Sequence, residues 1–89
     1  MKIIGAQVRG DVLVDSDTQY NNIMGENVTV AENIMARFYG IILKNLIIKK
    51  GATVYLHGKF QGELINEGGI LYLFSGTGEI ETFIVSNES

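Results

Sequence analysis

The only histidine of the chain, His57, is the first residue to test for chemistry. As a general base it would need a nucleophile within reach and a third group to orient its ring. The segment Leu56-His57-Gly58-Lys59 supplies no such triad, and there is no Cys to serve as a nucleophile. A solvated surface histidine is the better reading, and an enzyme working through His57 trails behind it. With one His and no Cys, a zinc site lacks ligands. Asp15, Asp17, Gln19, Asn21 and Glu26 fall at positions 1, 3, 5, 7 and 12 of a calcium loop. Tyr20 stands at the sixth position, where Gly is needed, and no helical pattern flanks the segment. It reads as a polar surface loop. Gly76-Thr77-Gly78 lacks the strand-to-helix context of a phosphate loop and is not followed by Gly-Lys-Ser/Thr. No catalytic, cofactor-binding or metal-ligating residue is assigned, and a protein that is not an enzyme and takes no cofactor is expected.

The composition sets the frame for that expectation. Eighty-nine residues form one domain, 1–89, able to bury one modest core. At 46% hydrophobic and 19% charged, the chain is too apolar for intrinsic disorder. The absence of Cys excludes a disulfide framework. A net charge of −3 disfavours nucleic acid as a partner. The N-terminal apolar run is interrupted at Gln7 and Arg9, too early for a signal peptide. No apolar stretch approaches the roughly 20 residues that span a bilayer. A soluble, cytoplasmic protein of bacterial type, with no membrane partner, is expected.

The elements that position the side chains follow from an internal repeat. Written in lines of eighteen from Val28, the chain aligns Val28, Leu46 and Leu64, then Val30, Ile48 and Asn66. Ile34, Ala52 and Ile70 follow, then Ala36, Val54 and Tyr72, then Phe38, Leu56 and Phe74. Gly40, Gly58 and Gly76 form a further column, and Asn33, Gly51 and Gly69 another. The apolar columns sit almost entirely at even positions, and alternation with period two is the signature of strands. Each unit divides into three short strands, near 45–49, 52–56 and 58–61, separated by residues that tolerate tight corners. The predicted fold is all-β: a single-domain parallel β-helix, or β-solenoid, with about 18 residues and three short strands per coil. Four to five coils are expected, triangular in section, each strand pairing with its copy about 4.8 Å along the axis.

The ends are less regular. Val12 and Val14 match Val28 and Val30 at a spacing of sixteen, as Gly62-Glu63-Leu64 matches Gly78-Glu79-Ile80. An irregular first coil with a loop around 15–25 and a polar tail at 86–89 are predicted. The competing fold, an antiparallel sandwich or small barrel, needs hairpin dipeptides, and no Asn-Gly or Asp-Gly is present.

Odd positions face outward in this register, and several are apolar. Thr29, Ile47, Ile65 and Phe83 form one outer column; Arg37, Tyr55 and Leu73 another; Met35, Thr53 and Leu71 a third. His57 falls outside, level with Tyr39 and Ser75. Contiguous exposed apolar patches mark interfaces. The candidate interface is therefore Met35, Arg37, Tyr39, Ile47, Tyr55, Ile65, Leu71, Leu73 and Phe83, with Tyr39 and Tyr55 as anchors. The competing arrangement folds the terminal segments, 1–5 and 82–85, back over these ridges.

The units Val8-Arg9-Gly10-Asp11-Val12, Leu56-His57-Gly58-Lys59-Phe60 and Gly76-Thr77-Gly78-Glu79-Ile80 give the pattern a resemblance to bactofilins, the polymer-forming bacterial cytoskeletal proteins. It covers roughly residues 5 to 82 and implies a right-handed helix and polymerisation. The eighteen-residue coils of hexapeptide acyltransferases differ, because they place Gly directly after an inward aliphatic residue. Here Thr29, Met35, Ile47, Thr53, Ile65 and Leu71 stand there. The expected function is a non-catalytic protein-binding or self-associating module, a bactofilin-like scaffold, whose partner is itself or another protein, as homo-oligomer or heteromeric complex. The alternative is a small acidic inhibitor, such as an immunity protein, that binds and neutralises a basic toxin; Asp11, Asp15, Asp17, Glu79 and Glu81 would suit such a partner.

Overall fold

A computed structural model describes residues 1–74 and the backbone of residues 80–85. The described residues form strands and corners only. The strands are β1 (Lys2–Ile4), β2 (Val8–Val14), β3 (Thr18–Val30), β4 (Met35–Ile48), β5 (Thr53–Phe60), β6 (Glu63–Asn66), β7 (Ile70–Phe74) and β8 (Ile80–Val85). All pairings from β1 to β7 are parallel. The chain is a β-solenoid of about four turns. No helix long and apolar enough to cross a membrane occurs among the described residues.

Parallel pairing at a near-constant offset sorts the strands into three stacks. The first face stacks Lys2–Ile4, Thr18–Tyr20, Ala36–Phe38, Val54–Leu56 and Leu71–Leu73. The second stacks Val8, Ile23, Gly40 and Gly58 with their successors. The third stacks Val12, Val28, Leu46 and Leu64 with theirs. β3 and β4 each run through all three faces, bending at the corners. The inward side chains of every rung meet in one core. Val28, Val30, Phe38, Leu46, Ile48, Val54 and Leu56 have no exposed surface, and Tyr20 stacks on Phe38 with ring centroids 5.4 Å apart. Burial, together with the charge of Asp15, raises the Tyr20 phenol above its ordinary value, so it stays neutral.

The corners stack as the strands do. Lys49 N–H donates to the Val30 carbonyl at 3.0 Å, and Asn33 N–H to that of Lys50 at 3.1 Å. At the turn from the second face to the third, Asn45 Nδ2 donates to Asn27 Oδ1 at 2.8 Å, and Asn27 Nδ2 donates to Asp11 Oδ1 at 3.0 Å. Gly40 and Gly58 make the turn from the first face to the second, at φ 142° and 147°. A Cβ on Gly58 would run into the carbonyl oxygen of Gly40, and one on Gly40 into that of Ile23. The expectation that no side chain fits this corner holds at both positions; Gly76 lies outside the described residues.

Four expectations are corrected. First, the loop expected around 15–25 shrinks to Asp15-Ser16-Asp17, and β3 begins at Thr18. Thr18 points into the core with its hydroxyl donating to the Ser16 carbonyl at 2.7 Å, and Ile23 is buried. The irregularity lies instead in register: β2 pairs with β3 at offsets of fifteen and sixteen residues, with a shift after Gly10.

Second, the eighteen-residue register does not persist. Ile48 pairs with Asn66 at eighteen residues, but Thr53 pairs with Ile70 at seventeen. The corner Glu67-Gly68-Gly69 is one residue shorter than Lys49-Lys50-Gly51-Ala52. Asn66 organises this tighter turn: its Oδ1 accepts from the N–H groups of Gly68 and Gly69 at 3.1 and 2.8 Å, and its Nδ2 donates to Gly69 O at 3.0 Å. Gly68, at φ 125°, takes the positive φ that Asn33 and Gly51 hold on the preceding rungs, and it lies against Lys50. A slip of one residue reverses which side chains face in. Leu71 is therefore buried on Val54, and Leu73 packs inward against the core on Leu56. Neither belongs to the outer surface, and Ile70, Tyr72 and Phe74 are not core columns.

Third, β8 runs antiparallel to β7, with Tyr72 opposite Phe83. Phe83 does not extend the column of Ile65, because the chain reverses before it. Fourth, residues 80–85 cover the open edge of β7 and do not start another coil. The tail at 86–89 lies outside the described residues.

Two kinds of glycine separate here. Gly10 has φ 82° but open space where a Cβ would go. Gly10→Ala should cost about 1–2 kcal/mol, the left-handed penalty alone. Gly58→Ala adds a backbone collision and should cost more than about 3 kcal/mol. Urea denaturation of the two variants checks the order.

Candidate protein-binding face

The outward side of the first face is assembled by the register slip. Alternation sends Arg37, Tyr55 and Tyr72 outward on successive rungs, and Tyr39, His57 and Phe74 in the column beside them. Met35, Thr53 and Ile70 form the third column. All nine side chains are half-buried.

Rung spacing brings the rings into stacking range. Tyr39 and His57 have centroids 4.5 Å apart and planes at 12°; His57 and Phe74 are 4.1 Å apart at 16°. Tyr55 and Tyr72 stack at 5.0 Å and 8°, and Tyr55 leans towards Phe74 at 6.2 Å. The Arg37 guanidinium lies over the Tyr55 ring, 5.1 Å from its centroid, a cation–π contact. The rings face one another along the solenoid axis, so each presents its edge outward.

Two polar atoms are left unmet. Arg37 Nε and His57 Nε2 are shielded from solvent and have no hydrogen-bond partner among the described residues. Burial, and then the neighbouring Arg37 charge, lower the His57 pKa below its ordinary 6.5, so the imidazole is neutral near pH 7. Among the described residues no group of three His, Cys, Asp or Glu could hold a metal ion.

Of the nominated interface residues, Met35, Arg37, Tyr39 and Tyr55 come together on this face. Ile47 and Ile65 lie on the third face with Leu13 and Thr29, where Leu13 is 64% and Ile65 38% exposed. That ridge is one residue wide, broken by Thr29 and bordered by the Asn27–Asn45 ladder and the Lys49–Glu67 ion pair. Leu71 and Leu73 are inside, and Phe83 is placed only by its backbone, opposite Tyr72. Tyr72 and Phe74 were missed as surface residues, and Phe74, not Ser75, stands level with His57. The available signal was Gly68: aligning it with Gly51, in place of Gly69, brings Tyr72 onto Tyr55.

No family profile, curated protein or solved structure matches the chain.

The depressed His57 pKa links the face to stability. The unfolded chain takes up a proton near pH 6.5 that the folded chain resists, so stability is full above that value. It falls as pH drops from there through the folded pKa. His57→Phe should keep the stack and flatten this dependence, as denaturation midpoints between about pH 5 and 7.5 would show.

Proposed function

We propose that the chain is a non-catalytic β-solenoid module that binds protein through the aromatic side of its first face. The observation that carries this reading is the contiguous block of Arg37, Tyr39, Tyr55, His57, Tyr72 and Phe74, half-buried with no strand or loop of the described residues laid over it. Tyr and Arg are the residue types that dominate binding hot spots, because they give large rigid contact area together with hydrogen-bonding groups. Edge-on tyrosines suit a protein surface, which brings both apolar and polar groups. A bactofilin-like scaffold is the form this function takes if the partner is a second copy of the chain. The narrower ridge of Leu13, Ile47 and Ile65 would then add a second contact.

The test places a photo-crosslinking phenylalanine analogue at Tyr55 and, as control, at Lys50 on the third-face corner. A discrete protein adduct from position 55, absent from position 50, is expected in the cell that makes the chain. Its mass tells a second copy from another protein. Equal adducts from both positions, or none from 55, would sink the reading. Light scattering over a concentration series is the companion measurement: any self-assembly through this face should vanish in Tyr55→Glu, and assembly that survives the substitution uses another surface.

A further inference from the structure

We propose that the occupant of the aromatic face is an acidic segment of another protein, which sets a carboxylate on Arg37 and lays its apolar neighbours against the tyrosine edges. This rests on the protein-binding reading above and names the chemistry of the partner.

Arg37 is the one formally charged side chain among the nine of the face. The ion pairs of the described residues lie elsewhere, Lys44 with Glu26 at 3.1 Å and Lys49 with Glu67 at 3.0 Å. Arg37 has none. Its guanidinium is fixed over Tyr55 and its Nε is shielded without an acceptor. A desolvated donor with no partner is costly, and a carboxylate that reaches it forms a charge-assisted bond of the stronger kind. Guanidinium geometry also favours carboxylate oxygens that can accept two N–H groups at once.

The other partner chemistries fit worse. A basic segment would bring like charge to Arg37 with no acid among the described residues of the face to offset it. A neutral apolar segment would cover the guanidinium and leave it unpaired, which is the expensive arrangement. A small free acid would find no enclosure, because the rings stand edge-outward in two flat columns, whereas small-molecule sites are concave. His57 extends the polar centre: its ring lies one rung from Arg37, close enough to feel that charge, and its Nε2 is also unmet. An incoming acid thus meets the Arg37 guanidinium beside the Tyr39 and Tyr55 rings, with the polar His57 ring one rung away.

The test is selection from a random peptide library displayed on phage, on immobilised full-length wild type and on Arg37→Gln and Tyr55→Ala, each first shown to melt cooperatively. Peptides enriched severalfold in Asp or Glu flanked by apolar residues are expected on the wild type, with the acidic preference lost on Arg37→Gln. Basic or neutral consensus peptides that need Tyr55 would overturn the acidic partner and leave the protein-binding reading standing. Acidic enrichment unchanged on Arg37→Gln would overturn the assignment to this face. No enriched peptide on the wild type would overturn both. If Arg37→Gln does not fold, Arg37→Lys replaces it: the proposal then requires a weakened acidic preference, since Lys keeps the charge and loses the fork.

Discussion

Parallel backbone pairing from one coil to the next is the constraint on which everything else in this molecule depends. It fixes the distance between successive rungs near 4.8 Å and carries like positions onto like. In the interior this puts Phe38 on Tyr20 and Val30 beside Ile48 in unbroken columns. On the surface the same spacing is close to the thickness of an aromatic ring. Aromatic residues on successive outward positions therefore stack whether or not a ligand is present. The ladder Tyr39–His57–Phe74 is a by-product of the backbone repeat as much as of its own attraction. Flat stacked rings contribute about 0.5–1.5 kcal/mol per pair beyond their area, enough to hold the face in shape.

The electrostatics of the chain are divided by this geometry. Among the described residues, the one formal charge on the aromatic face is that of Arg37, and it is positive. Glu26, Glu63 and Glu67 lie on the other two sides and their corners. The acidic-inhibitor reading drew on the overall balance and on Asp11, Asp15, Asp17, Glu79 and Glu81, whereas the described side chains of the aromatic face carry a positive charge. Net charge describes a molecule's long-range field, while recognition is decided by the groups within a few ångströms.

Most of the fold was legible in the sequence because inward and outward positions alternate and the corners repeat. Val28, Leu46 and Leu64, and Gly40 with Gly58, were enough to read a parallel solenoid. What was lost came from a single short corner. Glu67-Gly68-Gly69 contains two glycines, and either could stand for Gly51. Choosing Gly69 preserved the eighteen-residue register and left Tyr72 and Phe74 as core. The hydrogen bonds of Asn66 favour the shorter turn, and nothing in residue spacing announces them. Half of the site followed from that choice: Met35, Arg37, Tyr39 and Tyr55 precede the short corner and were placed correctly, whereas Leu71 and Leu73 follow it and were not. The antiparallel β8 was missed for a different reason: Ser75-Gly76-Thr77-Gly78-Glu79, a five-residue Gly-containing link of hairpin type, fits a solenoid corner equally well.

That reversed strand has a consequence for the size of the molecule. A stack of parallel rungs carries no internal instruction to stop, because each finished coil offers the same edge as the one before and invites another strand in the same direction. β8 spends the last parallel edge of the first face on a strand of opposite polarity. A strand that kept the coil direction would run antiparallel to β8, so it would not repeat the parallel register of the rungs before it. A further parallel turn cannot simply be copied onto this side. On this face the described stack therefore closes on a strand of reversed polarity in place of another copied rung, in an architecture whose repeat alone would allow indefinite growth.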